Sequence, residues 1–221
     1  MNREHIARVI DHTLLRPEAI PAQVERLCAE ALEKGFGAVC VNPVYVKLAS
    51  ARLADSQTAI CTVVGFPLGA LPTSAKVLLA QQAIRDGASE IDMVIQLGAL
   101  KDGNHQGVQE DIAAMATTCH ERGASLKAII ETALLSDEEK AIACRLAQAG
   151  GADSVMNATG FAGGGATAAD VQLMRQAVGQ AMGIKAAGGI RRYGDAMEML
   201  EAGASRIGAS AGVQIVEQAP L

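Results

Sequence analysis

Apolar positions along this chain follow two alternating periods. Between Pro21 and Lys34, Val24, Leu27, Cys28, Ala31 and Leu32 recur at i, i+3, i+4, i+7 and i+8, which gives a helix one apolar face. Short β-branched runs then follow a common entry pattern: KGFGAVCV from Lys34, DGASEIDMVI from Asp86, RGASLKAII from Arg122, GGADSVM from Gly150 and AGASRIGAS from Ala202. Each run comes after a helical stretch. A glycine just past the last helical turn supplies a left-handed residue, and the strand begins two or three residues later.

Extended along the chain, this pattern predicts strands near 9–14, 38–42, 59–65, 89–95, 126–131, 152–157, 183–187 and 205–209. Helices are predicted near 21–34, 43–54, 72–85, 105–122, 137–149, 168–181, 193–202 and 211–217. Pro21 and Pro72 suit a first helical turn. Ser136 with Glu139 reads as a capping box, and Thr167 with Asp170 as a weaker version of one. Eight βα units at this length predict a TIM (β/α)8 barrel spanning residues 1–221 as a single domain. A doubly wound sheet is the alternative, but no GxGxxG follows the first strand.

Aromatic residues make up only 2% of the chain and tryptophan is absent, so the core must be small and branched aliphatic side chains packed closely. A net charge of −5 argues against nucleic acid or an anionic membrane as partner, since either favours a basic face. Five scattered cysteines without a CxxC pair point to reduced thiols and a cytoplasmic setting. The N-terminal MNREHIARVID is too charged for a signal peptide.

In a TIM barrel the functional site lies at the C-terminal ends of the strands. The polar residues there are Asp11, His12 and Thr13, then Cys40 and Asn42, Asp92, Lys127 and Glu131, Asn157 and Thr159, and Lys185. Asp92, Lys127 and Lys185 lie in otherwise apolar strands, where a buried charge costs several kcal/mol unless paired. Their convergence in one barrel points to function. Glycine-rich loops after strands 6, 7 and 8, ATGFAGGGAT, AAGGIRR and GASAG, suit a phosphate, with Arg191 and Ser210 adding a charge and a hydroxyl. His5, His105 and His120 read as surface residues, His12 as a packed core histidine, Cys40 as inert packing, and Met174, Met182, Met197 and Met199 as core filler. No histidine has metal-ligand spacing, so no metal is expected.

The blocks IDHTLL, VCVNPVYV, TVVGFPLGA, DGASEIDMVI, LKAIIETALLSDEEK, TGFAGGGAT, IKAAGGIR and AGASRIGASAGV together resemble the deoxyribose-phosphate aldolase family from about residue 9 to 216. The resemblance implies a TIM-barrel class I aldolase without metal or other cofactor. Such an enzyme cleaves 2-deoxy-D-ribose 5-phosphate to glyceraldehyde 3-phosphate and acetaldehyde through a Schiff base. It implies a proton-handling role for Asp92, the second lysine at Lys185, and site residues Asp11 and Thr13. Gly160, Gly188, Gly189, Gly208 and Ser210 match the phosphate cradle, which Arg191 would join. The family's Schiff-base lysine stands in a pattern resembling GADFVKTSTGF, and this chain has GADSVMNATGF, with Ser154, Met156, Asn157 and Ala158 departing. A thioether forms no iminium, so the family activity is expected to be lost, weakened or repurposed, with Lys185 or Lys127 as the substitute amine where it persists. The alternatives are a sugar-phosphate-binding barrel without catalysis, or an acid–base enzyme on a carbonyl substrate using Asp92 and Lys185, with Asn157 orienting the oxygen. The family also implies a C-terminal tyrosine closing over the site, whereas this sequence ends VEQAPL. Deoxynucleoside catabolism is the implied setting and a homodimer the expected association.

Overall fold

The computed structural model describes all 221 residues. Eight parallel strands close into a barrel: β1 (Ile10–Leu14), β2 (Ala38–Val41), β3 (Ala59–Val64), β4 (Glu90–Val94), β5 (Ser125–Ile129), β6 (Ser154–Met156), β7 (Gly183–Ala187) and β8 (Arg206–Ala209), which pairs back onto β1. The helices are α1 (Arg3–Arg8), α2 (Pro21–Lys34), α3 (Val46–Arg52), α4 (Thr73–Arg85), α5 (Leu97–Lys101), α6 (His105–His120), α7 (Asp137–Ala149), α8 (Ala168–Val178), α9 (Tyr193–Glu201) and α10 (Gly212–Gln218). The barrel expected from the sequence is the architecture observed.

The joints behave as their glycines require. Gly35, Gly87, Gly123, Gly151 and Gly203 all have positive φ, from 72° to 116°, and each releases the chain from a helix into the next strand. Ser136 and Glu139 form the reciprocal capping box of α7, while Thr167 accepts from the Asp170 amide alone.

Two helices were not expected. α1 is six residues long, and its buried Ile6 and Ala7 are adjacent rather than periodic, so no apolar stripe marks it. It docks under the barrel, where the Gly37 amide donates to the Ala7 carbonyl at 3.1 Å. α5 is a five-residue turn inside the connection between β4 and α6. The third helix begins as a 3-10 turn over Pro43–Tyr45 before α3.

Each strand turns one face to the helices, where Ala, Val, Leu, Ile and Met form a continuous core, and the other into the barrel. Met174, Met182 and Met199 belong to that core, while Met197 is half-buried. His12 faces this layer too. It is buried, packs against Phe36 with ring centroids 4.7 Å apart, and pairs its Nε2 with Glu30 at 2.7 Å.

One fully buried ion pair lies in the helix layer. Lys76 on α4 and Asp111 on α6 are both fully buried and meet at 2.6 Å. The Lys76 ammonium also donates to the Val94 carbonyl at 2.9 Å, and Asp111 accepts from the Thr73 hydroxyl at 2.7 Å. Removing one partner of such a pair strands a buried charge, whereas replacing both with apolar groups does not. Asp111→Ala is therefore expected to lose about 3–5 kcal/mol of unfolding free energy. The double variant Lys76→Met/Asp111→Leu should recover most of that loss, as read from urea denaturation midpoints.

Candidate functional site

Inside the barrel, alternation along β4 and β8 turns Glu90 and Asp92, and then Arg206 and Gly208, toward the axis. Strand register sets Asp92 beside Lys127, and Lys185 beside Arg206. Six charged side chains then close a ring in which every neighbour has opposite sign. Lys127 contacts Glu90 at 2.5 Å and Asp92 at 2.9 Å. Lys185 contacts Asp92 and Asp11, each at 2.6 Å, the second as an ionic contact rather than an aligned hydrogen bond. The Arg206 guanidinium grips Asp11, with Nε donating at 2.8 Å, and reaches Glu90 at 3.5 Å.

The ring fixes ionisation states. Burial alone pushes the Asp92 carboxyl up, but the Lys127 and Lys185 ammonium groups outweigh it and hold the group below the ordinary carboxylate range. Asp11 is depressed in the same way, by Lys185, Lys127 and Arg206 acting against burial. Burial pulls Lys185 down, yet Asp11 and Asp92 overcome it and hold the amine well above its usual value. Lys127 is likewise raised, with Asp92 the main opposing charge. Both lysines are therefore ammonium ions.

Above the ring, a cavity of about 190 Å³ opens at the C-terminal ends of the strands. Of the residues singled out for catalysis, Asp92, Lys185, Met156 and Thr13 line it. Asp11 and Lys127 do not; they lie beneath, in the ring, and reach the cavity only through Asp92 and Lys185. Gly160, Gly188, Gly189, Arg191, Gly208 and Ser210 all line the mouth. Gly208 has a packing reason as well: a Cβ there would fall 2.9 Å from Lys185 Cε, so the bare backbone is what lets the lysine stem cross β8.

Met156 is buried and packs with Val94, Ile129 and Ala187, with Phe66 and Leu97 alongside. It sits in register with Lys185 on the neighbouring strand. Asn157 does not line the cavity. Its amide nitrogen donates to the Ala187 carbonyl at 3.1 Å and its oxygen accepts from the Ala187 amide at 2.7 Å, so both ends are spent clamping β6 to β7. Glu131 holds the next loop: it adopts a left-handed conformation, φ 53°, and its buried carboxylate accepts from the Thr159 amide and hydroxyl.

Cys40 lines the cavity, and its thiol, the Cys61 thiol and an Asp92 oxygen lie within 4.8 Å of one another. These donors could reach a metal ion, but both Asp92 oxygens already hold ammonium groups, which oppose a second cation. All five cysteines are free thiols. No helix is long and apolar enough to cross a membrane.

Glu90 and Arg206 were missed from sequence. Each stands at the first residue of its strand, directly after a polar entry segment, and reads there as a surface charge. The available signal was the period of two, which runs back from Asp92 to Glu90 and from Ser210 through Gly208 to Arg206.

Comparison with known proteins places the chain in a family and matches its fold. A family model described as DeoC/LacD family aldolase matches residues 6–218. A deoxyribose-phosphate aldolase of Thermococcus kodakarensis is 55% identical, over 100% of this chain and 99% of that one. Deoxyribose-phosphate aldolase 1 of Bacillus licheniformis is 53% identical, over 97% and 96%. Among solved structures, the tetrameric deoxyribose phosphate aldolase of Aeropyrum pernix superposes with a TM-score of 0.92 at 32% identity, covering 98% of this chain and 91% of that one.

The charge ring defines a pH window. Asp11 and Asp92, depressed in the fold, stabilise it above their unfolded value of about 4 and lose that contribution as pH falls. Lys127 and Lys185, raised in the fold, stabilise it below about 10.4 and lose the contribution as pH rises through their folded values. The ring's contribution to unfolding free energy is therefore expected to stay level between about pH 5 and pH 9. Denaturation midpoints that climb between about pH 7 and pH 10 would instead mean that a lysine of the ring is neutral in the folded barrel.

Proposed function

Because the chain belongs to the DeoC/LacD family of aldolases, we propose that it binds a phosphorylated carbonyl compound of the 2-deoxyribose 5-phosphate class without forming a Schiff base to it. One observation carries this reading: the lysine that lines the cavity, Lys185, is paired with two carboxylates. The residue at 156 is a thioether, and the two lysines inside the barrel, Lys185 and Lys127, are each locked between two carboxylates. An amine attacks a carbonyl only through its free lone pair, and each contact in the ring removes that lone pair by keeping the proton on. The same locking weakens an acid–base alternative. Asp92 held as a carboxylate is a poor base, and Lys185 held as an ammonium is a poor acid.

Retention of the mouth supports binding. Gly160, Gly188 and Gly189 have positive φ, from 80° to 93°, and stand with Arg191 and Ser210 around the opening. Backbone of this kind, free of side chains, lets amide groups approach an anion. The loops after β6 and β7 are also tied together. The Ala166 amide donates to the Gly188 carbonyl at 2.9 Å, and a Cβ on Gly165 would fall 2.7 Å from that same oxygen.

Incubation with acetaldehyde and borohydride, followed by peptide mass spectrometry, tests the covalent half of the reading. Neither Lys185 nor Lys127 is expected to carry a reduced adduct, against the background ethylation of exposed amines; an adduct on either would overturn the proposal. The binding half is tested by calorimetry with 2-deoxyribose 5-phosphate, and absence of heat at millimolar ligand would overturn it.

A gain-of-function variant follows from the same geometry. A lysine at 156 would stand in register with Lys185, whose positive charge favours a neutral amine beside it. Loss of a covalent nucleophile commonly costs on the order of 10⁶ in rate. Met156→Lys is therefore expected to restore borohydride-trappable adduct at position 156 and to raise cleavage of 2-deoxyribose 5-phosphate by at least about a hundredfold.

A further inference from the structure

Two of the five thiols lie inside the barrel. Cys28, Cys119 and Cys144 belong to the core between strands and helices, whereas Cys40 and Cys61 pack with Val63, Leu15 and Phe66 in a separate inner cluster. Strand register sets Thr13, Cys40, Cys61 and Glu90 side by side on β1, β2, β3 and β4, so one inward row crosses four strands.

Directly paired residues on neighbouring strands have Cα atoms about 4.8 Å apart, inside the span of about 4.4–6.8 Å that a disulfide tolerates. Both side chains leave the same face of the sheet, and the two sulfurs already lie within 4.8 Å of each other. Rotation about the Cα–Cβ bonds moves them toward the bonded separation of about 2.05 Å.

The two thiols differ in access. Cys40 lines the cavity of about 190 Å³, which admits a molecule as small as hydrogen peroxide, whereas Cys61 is fully buried and does not line it. Burial holds the Cys61 thiol well above its usual range, so the resting pair is a dithiol. The Lys127 ammonium donates to the Cys61 sulfur at 3.6 Å. It favours the negative charge that develops there as the proton leaves, against the opposing Asp92 carboxylate.

We infer that Cys40 and Cys61 form an oxidation site, in which hydrogen peroxide entering the cavity closes a reversible disulfide across β2 and β3. In the first step the Cys40 sulfur attacks peroxide and the O–O bond breaks, leaving Cys40 as a sulfenic acid and releasing water. In the second, the Cys61 sulfur attacks the sulfenic sulfur. An S–S bond forms, the S–O bond breaks, and the departing hydroxide takes the Cys61 proton and leaves as water. Two thiols are thus oxidised by two electrons while one peroxide is reduced to two waters, and a dithiol reductant reverses the change. The cross-link ties two strands together in the wall of the cavity, beside the charge ring. It requires nothing of the phosphate-binding reading, so the two stand or fall separately.

Trypsin places the two residues on separate peptides, Gly35–Lys47 and Leu53–Lys76, with no other cysteine in either. The full-length protein is incubated with millimolar hydrogen peroxide, denatured in iodoacetamide and digested without reductant. The two peptides are expected as a linked pair, two hydrogens lighter than their sum. Titratable thiols should fall from five to three and return to five with dithiothreitol. In Cys61→Ala the sulfenic acid has no thiol to resolve it, and peroxide with dimedone should label Cys40. Persistence of five thiols, or loss of thiols without the linked peptides, would overturn the inference. A folded Cys61→Ala that takes no dimedone at Cys40 would overturn it as well, since oxidation would not then begin from the cavity. Where that variant does not fold, the linked peptides of the unmodified protein decide alone.

Discussion

The interaction on which the site depends is the closed ring of Asp11, Lys185, Asp92, Lys127, Glu90 and Arg206. Each charge buried in a barrel interior carries a desolvation cost of several kcal/mol, and two neighbours of opposite sign offset it for every member. No member can be neutralised without leaving two others short of a partner. The arrangement is therefore rigid in protonation as well as in position, and that rigidity decides which chemistry the cavity can offer. Ammonium groups held between carboxylates orient and polarise; they do not attack.

The ring in turn explains features that a local view leaves unconnected. Lys185 reaches Asp11 by lying across β8, which is open to it only because position 208 is glycine. The Lys76 ammonium, from the helix layer, holds the Val94 carbonyl two residues beyond Asp92, so the end of β4 is fixed from both inside and outside the barrel. The apolar cluster around Met156 sits directly on this charged layer. The two are kept apart by strand alternation, which places Asp92 and Val94 at successive inward positions of β4 and Lys127 and Ile129 at those of β5.

Much of this was legible in the sequence. The repeated glycine-to-strand entry located five of the eight strands, β2, β4, β5, β6 and β8, to within a residue or two, because one joint chemistry recurs at those units. Asp92, Lys127 and Lys185 stood out as charges among aliphatic residues, and they do converge. What stayed hidden was depth. Asp11 and Lys127 were grouped with the cavity residues although they lie below it, and Glu90 and Arg206 were passed over although they complete the ring. Depth along a barrel axis depends on the stagger between strands, and that is a property of the closed sheet rather than of any one segment. Asn157 shows the complementary difficulty: an amide near a site reads as a ligand contact until the neighbouring strand's backbone is seen to consume it.

The cluster of departures from the aldolase pattern at Ser154, Met156, Asn157 and Ala158 has a mechanical sense in this structure. β6 is only three residues long, and its end is secured beyond the regular ladder. The Ile130 amide donates to the Met156 carbonyl at 2.9 Å, the Asn157 amide donates to the Lys185 carbonyl at 3.3 Å, and the Asn157 side chain adds two further bonds to β7. At the other end of the strand, Ser154 packs so closely on Gly183 that a Cβ there would meet its hydroxyl at 2.3 Å. Ala158 is fully buried behind the loop that leads to the mouth. The four side chains thus divide the work of one short strand between a tight contact at its base, an apolar surface toward the cavity, a polar clamp at its tip and a small residue where the loop turns away. An unpaired charge at 156 is the one element that this division does not contain, and the ring beneath keeps its balance of three carboxylates against three cations without it.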